Sequence, residues 1–203
     1  MGNMSKEPDY DKIVNRLKVV FEKNGVKEES GFPFFQKAKP EDLECLLRVY
    51  DFFSYWTSVY LNNELNCIKE WVIPEHIIDF YKNYEPCQQP MTEAGISLCN
   101  LERIKEENSC SVLLKYKLLI IATSIGGNPV CLDFNQMKND NPAVIIIDNA
   151  DIPPFEEIEE YYSEYEDIEE FIHTISTSFT DFLWKYSADE YDDFEDMFLD
   201  EDE

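Results

Sequence analysis

The residues best suited to chemistry are carboxylates and tyrosines that alternate within residues 155–167. The candidate contact residues in this stretch are Glu156, Tyr161, Tyr162, Glu164, Tyr165 and Asp167. Carboxylates speed the encounter with a basic surface, and tyrosine rings add buried area at a small cost in conformational entropy. The pattern therefore predicts a surface that binds a basic protein partner. For any single residue, the alternative is a solvated face that confers solubility.

Three further carboxylates, Asp133, Asp148 and Asp151, are candidate contacts because each lies near the end of a predicted strand. The alternative for Asp133 and Asp148 is a structural role. In that case their side chains cap turns and accept hydrogen bonds from loop amides.

Catalytic machinery is hard to assemble from this sequence. Only His76 and His173 are present, and neither lies in a local motif for a histidine metal centre or a Ser-His-Asp relay. Gly126-Gly127 lacks the following Lys and Ser or Thr of a phosphate-binding loop, and the acidic C-terminus lacks the glycine of a calcium-binding EF-hand loop. We therefore expect no catalytic residue, no metal site and no cofactor.

The six cysteines form no Cys-x-x-Cys pair, and five of them have large apolar or aromatic residues within two positions. This pattern favours buried, reduced thiols over a disulfide framework or a zinc site.

Net charge limits the class of partner. The chain has 203 residues, of which 43 are acidic and 17 basic, for a formal net charge of −26. Because phosphate contacts need a basic surface, we exclude nucleic acid as the partner. No stretch approaches the ~18 uninterrupted apolar residues of a spanning helix, and the first residues lack the apolar core of a secretory signal. We expect a cytoplasmic protein that does not bind membranes.

Most of the excess charge lies in the last quarter of the chain. Residues 156–203 hold 20 acidic side chains and one basic side chain, a net charge of −19. Within this region, residues 187–203 alternate acids with a few apolar residues, which is typical of a tail that is disordered or ordered only against a partner.

Apolar spacing predicts the elements that hold these side chains. Helices are expected from Asp9 to Asn24, from just after Pro40 toward Tyr60, over residues 73–84 and from Leu101. A brief strand is expected over residues 95–99, and three stronger strands over residues 118–123, 130–134 and 143–148. The short loops between these three strands predict an antiparallel meander.

The last predicted element is a single helix from Tyr165 to Lys185, with an apolar stripe on one side and an exposed His173 on the acidic side. The fold class is thus α+β, a small and mostly antiparallel sheet with helices covering one face. We divide the chain into an N-terminal helical extension (1–70), the α+β domain (71–186) and the acidic C-terminal tail (187–203).

The order of several short motifs resembles that of a known family. The motifs are Ile-Pro-x-x-Ile-x-x-Phe-Tyr at 73–81, Ser-Leu-x-x-Leu-x-x-Ile at 97–104, Ile-Gly-Gly-Asn-Pro-Val-Cys-Leu-Asp at 125–133, the strand at 142–148 and the segment 175–183. Together, over residues 71–186, they resemble the SUKH superfamily, also called the Smi/Knr type. The chain departs from the family at Asn128-Pro129, where Gly-Asp is frequent.

This resemblance implies a non-catalytic α+β protein that binds other proteins. Bacterial members of the family are cytosolic immunity proteins that neutralise toxins, many of them nucleases, and fungal members regulate cell-wall glucan synthesis. Our first hypothesis is an immunity protein that blocks a basic toxin domain with its acidic surface. The alternatives are an intracellular regulatory or scaffold module and an enzyme. Nothing in the sequence specifies an oligomeric state.

Overall fold

The computed structural model describes residues 8–28, 31–47, 72–88, 90–109, 111–152 and 164–191. Its helices are Tyr10–Lys23 (α1), Pro40–Leu47 (α2), Glu75–Tyr84 (α3), Leu101–Ser109 (α4) and Phe179–Tyr186 (α5). Three short 3-10 helices span Val112–Tyr116, Tyr165–Asp167 and Glu169–Phe171. In this part of the chain, no helix is both long enough and apolar enough to cross a membrane.

Two antiparallel sheets accompany these helices. Phe35–Gln36 (β1) pairs with Glu85–Pro86 (β2), and the main sheet contains Ile96–Leu98 (β3), Leu118–Ser124 (β4), Pro129–Met137 (β5), Pro142–Ile147 (β6) and Ile172–Ser176 (β7). Each strand of the main sheet pairs with the next one along the chain. The α+β class and the antiparallel meander of the three strong strands are therefore confirmed.

The central strands β4, β5 and β6 are apolar on both faces. Because successive side chains on a strand point to opposite faces, Leu119 and Leu132 join one hydrophobic cluster while Ile120 and Cys131 join another. The first cluster contains apolar side chains from α1, α3, α4 and α5. The second is completed by the 3-10 helix Val112–Tyr116 and by Ile168. Helices thus cover one face, as predicted, and 3-10 helices cover the other.

The predicted single helix from Tyr165 to Lys185 is wrong. The structure places two 3-10 helices, strand β7 and helix α5 there. Ile172 packs with the second cluster and Ile175 with the first, so these residues lie on opposite faces of a strand. Pairing β7 with β6 satisfies the backbone groups of β6, and β-branched residues suit that conformation. His173 is consequently half-buried in β7 and pairs with Ile146.

Helix α1 agrees with the prediction for Asp9 to Asn24. Asp9 caps it by accepting a hydrogen bond from the Lys12 amide at 3.1 Å, and Gly25 follows with a φ of 82°. Helix α2 begins at Pro40, just before the predicted start, and the expected continuation toward Tyr60 lies outside the described residues.

The described parts of all three predicted sections share one hydrophobic core. Tyr10 of α1 lies 5.3 Å from Phe80 of α3, which lies 5.6 Å from Phe179 of α5, measured between ring centroids. The start of the predicted tail also packs here, because Tyr191 lies 5.8 Å from the Phe182 ring. Residues 192–203 lie outside the described part of the chain.

The cysteines that the structure describes agree with the expectation of buried thiols at two positions. Cys99 and Cys131 are buried and free, whereas Cys87 is half-buried. Burial raises the pKa of the Cys99 thiol to about 12, so that thiol is protonated at neutral pH. The side chains of the other three cysteines lie outside the described residues.

We expect Ser178→Ala to lower the free energy of unfolding by about 1 kcal/mol, because the Ser178 hydroxyl caps α5 by accepting a hydrogen bond from the Asp181 amide at 3.1 Å. Ser178→Asp, the control, retains an acceptor and most of the stability. Urea denaturation of the full chain measures both. A single helix through this region predicts the opposite sign, because alanine is a better mid-helix residue than serine.

Candidate partner-binding surface

Asp133 and Tyr165, both predicted contacts, lie together on the second face of the sheet. Asp133 is fully buried in β5, and the Tyr165 hydroxyl donates a hydrogen bond of 2.6 Å to its Oδ2. The Asn135 backbone N–H and Nδ2 donate to Asp133 Oδ1 at 2.8 and 3.0 Å. Asp133 therefore holds Tyr165 in place and has no exposed surface of its own.

Tyr165 is held from a second side as well, since Gln136 Nε2 donates to its hydroxyl oxygen at 3.1 Å. Burial and the hydrogen bond to Asp133 raise the pKa of Tyr165 well above its usual value of about 10. The ring is half-buried and the hydroxyl is neutral at physiological pH. Tyr165 is thus a fixed aromatic group at the border between the core and the surface.

Glu164 and Asp167 flank Tyr165 on the same 3-10 helix. The Glu164 backbone N–H donates to Asp167 Oδ2 at 2.9 Å, which closes the first turn of that helix. Both side chains are exposed, as is that of Glu166 between them. The two predicted contacts are therefore accessible, although Asp167 also has a structural role.

Asp148 and Asp151 lie in the turn that follows β6. Asp148 is half-buried and its Oδ1 accepts a hydrogen bond of 2.8 Å from the Ala150 amide, so the structural alternative holds for that oxygen. Asp151 is exposed. Asp151 borders a small cavity that is also lined by Ile168 and Phe171. The turn after β6 therefore lies next to the two 3-10 helices.

The carboxylates around these turns form what we call the acidic face. It consists of Asp148, Asp151, Glu164, Glu166, Asp167, Glu169 and Glu170. No lysine or arginine occurs anywhere between Lys138 and Lys185 in the sequence. The positions of Glu169 and Glu170 on this face were missed, because the predicted helix placed them opposite its apolar stripe. The β-branched residues Ile172, Thr174 and Ile175, which favour a strand, were the available signal.

Three predicted contacts, Glu156, Tyr161 and Tyr162, lie outside the described residues. In sequence they fall between Ile152 and Glu164, which are both described.

Neither histidine lines the shallow groove of about 650 Å³ that α1 forms with Ser187 and Ala188. Burial lowers the pKa of His76, and a hydrogen bond with Asn141 and the nearby Asp140 only partly offset this effect. Among the described residues, no group of three or more His, Cys, Asp or Glu side chains is placed to hold a metal ion.

We expect Tyr165→Phe to lower the free energy of unfolding by about 1 to 3 kcal/mol at neutral pH, because Asp133 Oδ2 would lose its donor while remaining buried. Tyr84→Phe is the control. It removes a hydrogen bond of 2.5 Å to the exposed Asp11 carboxylate, where water can replace the hydroxyl. Urea denaturation of both variants measures the difference.

The hydrogen bond between Tyr165 and Asp133 also predicts that the stability of the protein depends on pH in the alkaline range. The pKa of Tyr165 is higher in the folded than in the unfolded state, so its contribution is complete below about pH 10 and is lost as the pH rises further. The stability difference between wild type and Tyr165→Phe should therefore shrink above pH 10. A difference that stays constant would contradict the hydrogen bond to Asp133.

The comparisons with known proteins give one match. The model of the SMI1/KNR4 family (SUKH-1) matches residues 40–185, a range that starts at α2 and ends within α5. Neither a curated protein nor a solved structure matches the chain. Members of this family are generally non-catalytic and act as protein-binding immunity proteins or as regulators. Because the match covers well over half of its residues, the chain belongs to the SMI1/KNR4 family (SUKH-1).

Proposed function

We propose that this chain is a cytoplasmic immunity protein that binds and neutralises a basic toxin through the acidic face. The observation that carries the proposal is the fixed position of this face. Asp133 and Gln136 hold Tyr165, and the buried side chain of Ile168 holds the adjoining turns against the sheet. A negatively charged surface that is already ordered loses little conformational entropy when it binds.

The proposed contacts divide into charged side chains and aromatic anchors. Asp148, Asp151, Glu164 and Asp167 provide charge, and Tyr165 provides apolar area between Glu164 and Asp167. From the sequence we add Glu156, Tyr161 and Tyr162 to this interface. Asp133 contributes indirectly, as a positioning residue beneath Tyr165.

Electrostatics gives this interface its rate and its selectivity. Complementary charge lifts association rates toward ~10⁸ M⁻¹s⁻¹ at low salt, and close charge pairs couple by about 1.5 to 7 kcal/mol. A toxin that acts on a polyanion needs a basic substrate surface. Occupation of that surface by the acidic face blocks the substrate without any bond being made or broken.

To test the proposal, we would neutralise four exposed carboxylates of the acidic face with Asp151→Asn, Glu166→Gln, Glu169→Gln and Glu170→Gln. The matched control neutralises four exposed carboxylates on helices, with Glu41→Gln, Glu75→Gln, Glu102→Gln and Glu106→Gln. Both variants lose the same net charge. We expect the association rate constant to fall about tenfold or more only for the first, since local charge dominates steering.

The partner for this measurement is the protein captured from the native cytosol at low salt and released at high salt. Stopped-flow association at both salt concentrations gives the rate constants, and co-expression with the captured protein measures protection of the cell. Equal rates for the two variants would overturn binding through the acidic face. A captured protein that harms no cell would overturn the immunity role and favour a regulatory one.

A further inference from the structure

Ile125 is an exposed apolar side chain at the tip of the turn between β4 and β5. It is 67% exposed. The turn is closely tied, because the Ser124 amide donates to the Asn128 carbonyl at 2.9 Å and the Gly127 amide donates to the Ser124 carbonyl at 3.1 Å. Gly127 has a φ of 87°, a conformation that other residues rarely adopt. Ile125 is therefore presented to solvent by a turn with a defined conformation.

A buried side chain ties this turn to the acidic face. Asn128 is only 5% exposed, and its Oδ1 accepts a hydrogen bond of 2.9 Å from the Asn149 amide. The backbone N–H of Asn128 donates to Ser124 Oγ at 3.1 Å. Asn149 lies between Asp148 and Asp151 in sequence, so Ile125 and those carboxylates occupy the same end of the sheet.

Strand β7 brings further negative charge to this end of the sheet. Ile172, the first residue of β7, pairs with Ile147, the last residue of β6. The exposed Glu169 and Glu170 immediately precede Phe171 and Ile172, so they too lie next to the turn after β6. One end of the sheet thus combines a projecting apolar side chain with four carboxylates.

Exposure alone does not mark a binding residue, since scattered exposed apolar side chains are normal. Val19 on α1 is 64% exposed, yet it borders the groove beside Lys12 and Arg16 as well as Asp9 and Asp11, where the charges are mixed. Ile125 differs because the charged side chains tied to its turn, Asp148 and Asp151, are both negative. An apolar group beside charges of one sign matches the arrangement of a central anchor and a polar rim in protein interfaces.

We infer that Ile125 is the apolar anchor of the interface, and that it inserts into a pocket bordered by Lys or Arg side chains on a basic protein partner. This inference rests on the proposed function, because it takes its partner from the acidic face. It adds the part of the interface that controls the lifetime of the complex. The carboxylates control the encounter, whereas burial of Ile125 slows dissociation.

The test compares Ile125→Ser with Val19→Ser, two substitutions of apolar side chains with nearly equal exposure. The probe is the basic protein captured at low salt, and the readouts are the association and dissociation rate constants. We expect Ile125→Ser to raise the dissociation rate constant about tenfold and to leave the association rate constant and its salt dependence unchanged. Val19→Ser should change neither constant by more than about twofold. Thermal unfolding of both variants controls for folding.

Failure of this inference differs from failure of the proposed function. If Ile125→Ser dissociates as slowly as wild type while the four-carboxylate variant still associates slowly, the anchor is wrong and the acidic face stands. A photo-crosslinking amino acid placed at Ile125 gives a second measurement in intact cells. We expect an adduct with the basic partner from position 125 and none from position 19. Equal adducts from both positions, or none from 125, would overturn the anchor.

Discussion

The burial of β4, β5 and β6 on both faces is the constraint on which the rest of the structure depends. A sheet with two apolar faces needs two covers, because either face left in water would forfeit roughly 25 cal/mol for each square ångström of apolar surface. Helices provide the first cover. The second comes in part from Ile168 and Phe171, which belong to one of the most acidic stretches of the chain. Packing of the sheet therefore also fixes the position of negative charge.

Asp133 shows how this constraint reaches the surface. A buried carboxylate needs donors, and the Asn135 and Tyr165 groups supply three. The Tyr165 hydroxyl is drawn to the sheet while the flanking Glu164 and Asp167 remain in water. The same hydrogen bond thus satisfies the core and sets the geometry of the acidic face. The structural role that the sequence left open for Asp133 and the predicted binding role of Tyr165 are parts of one arrangement.

Much of the fold could be predicted from local pattern, and the parts that could not depend on distant partners. The strands at 118–123 and 143–148 are short apolar runs bounded by turn residues, and α1 carries its own cap at Asp9. The spacing of Ile172 and Ile175 fits a helix as well as two faces of a strand. The strand forms because the edge of β6 needs a partner for its backbone groups, and that need is not visible in the local sequence. Likewise, the residue type of Asp133 predicts polar contacts, but its burial beneath Tyr165 depends on a residue 32 positions away.

Helix α1 contributes Ile13, Leu17 and Phe21 to the core shared with α3 and α5, although the family match begins only at residue 40. The region matched by the family model and the hydrophobic core therefore cover different lengths of chain. A fragment trimmed to the matched region would leave the hydrophobic residues that α1 covers open to solvent and to proteases. In this chain, helix α1 thus completes the core from outside the region that the family model matches.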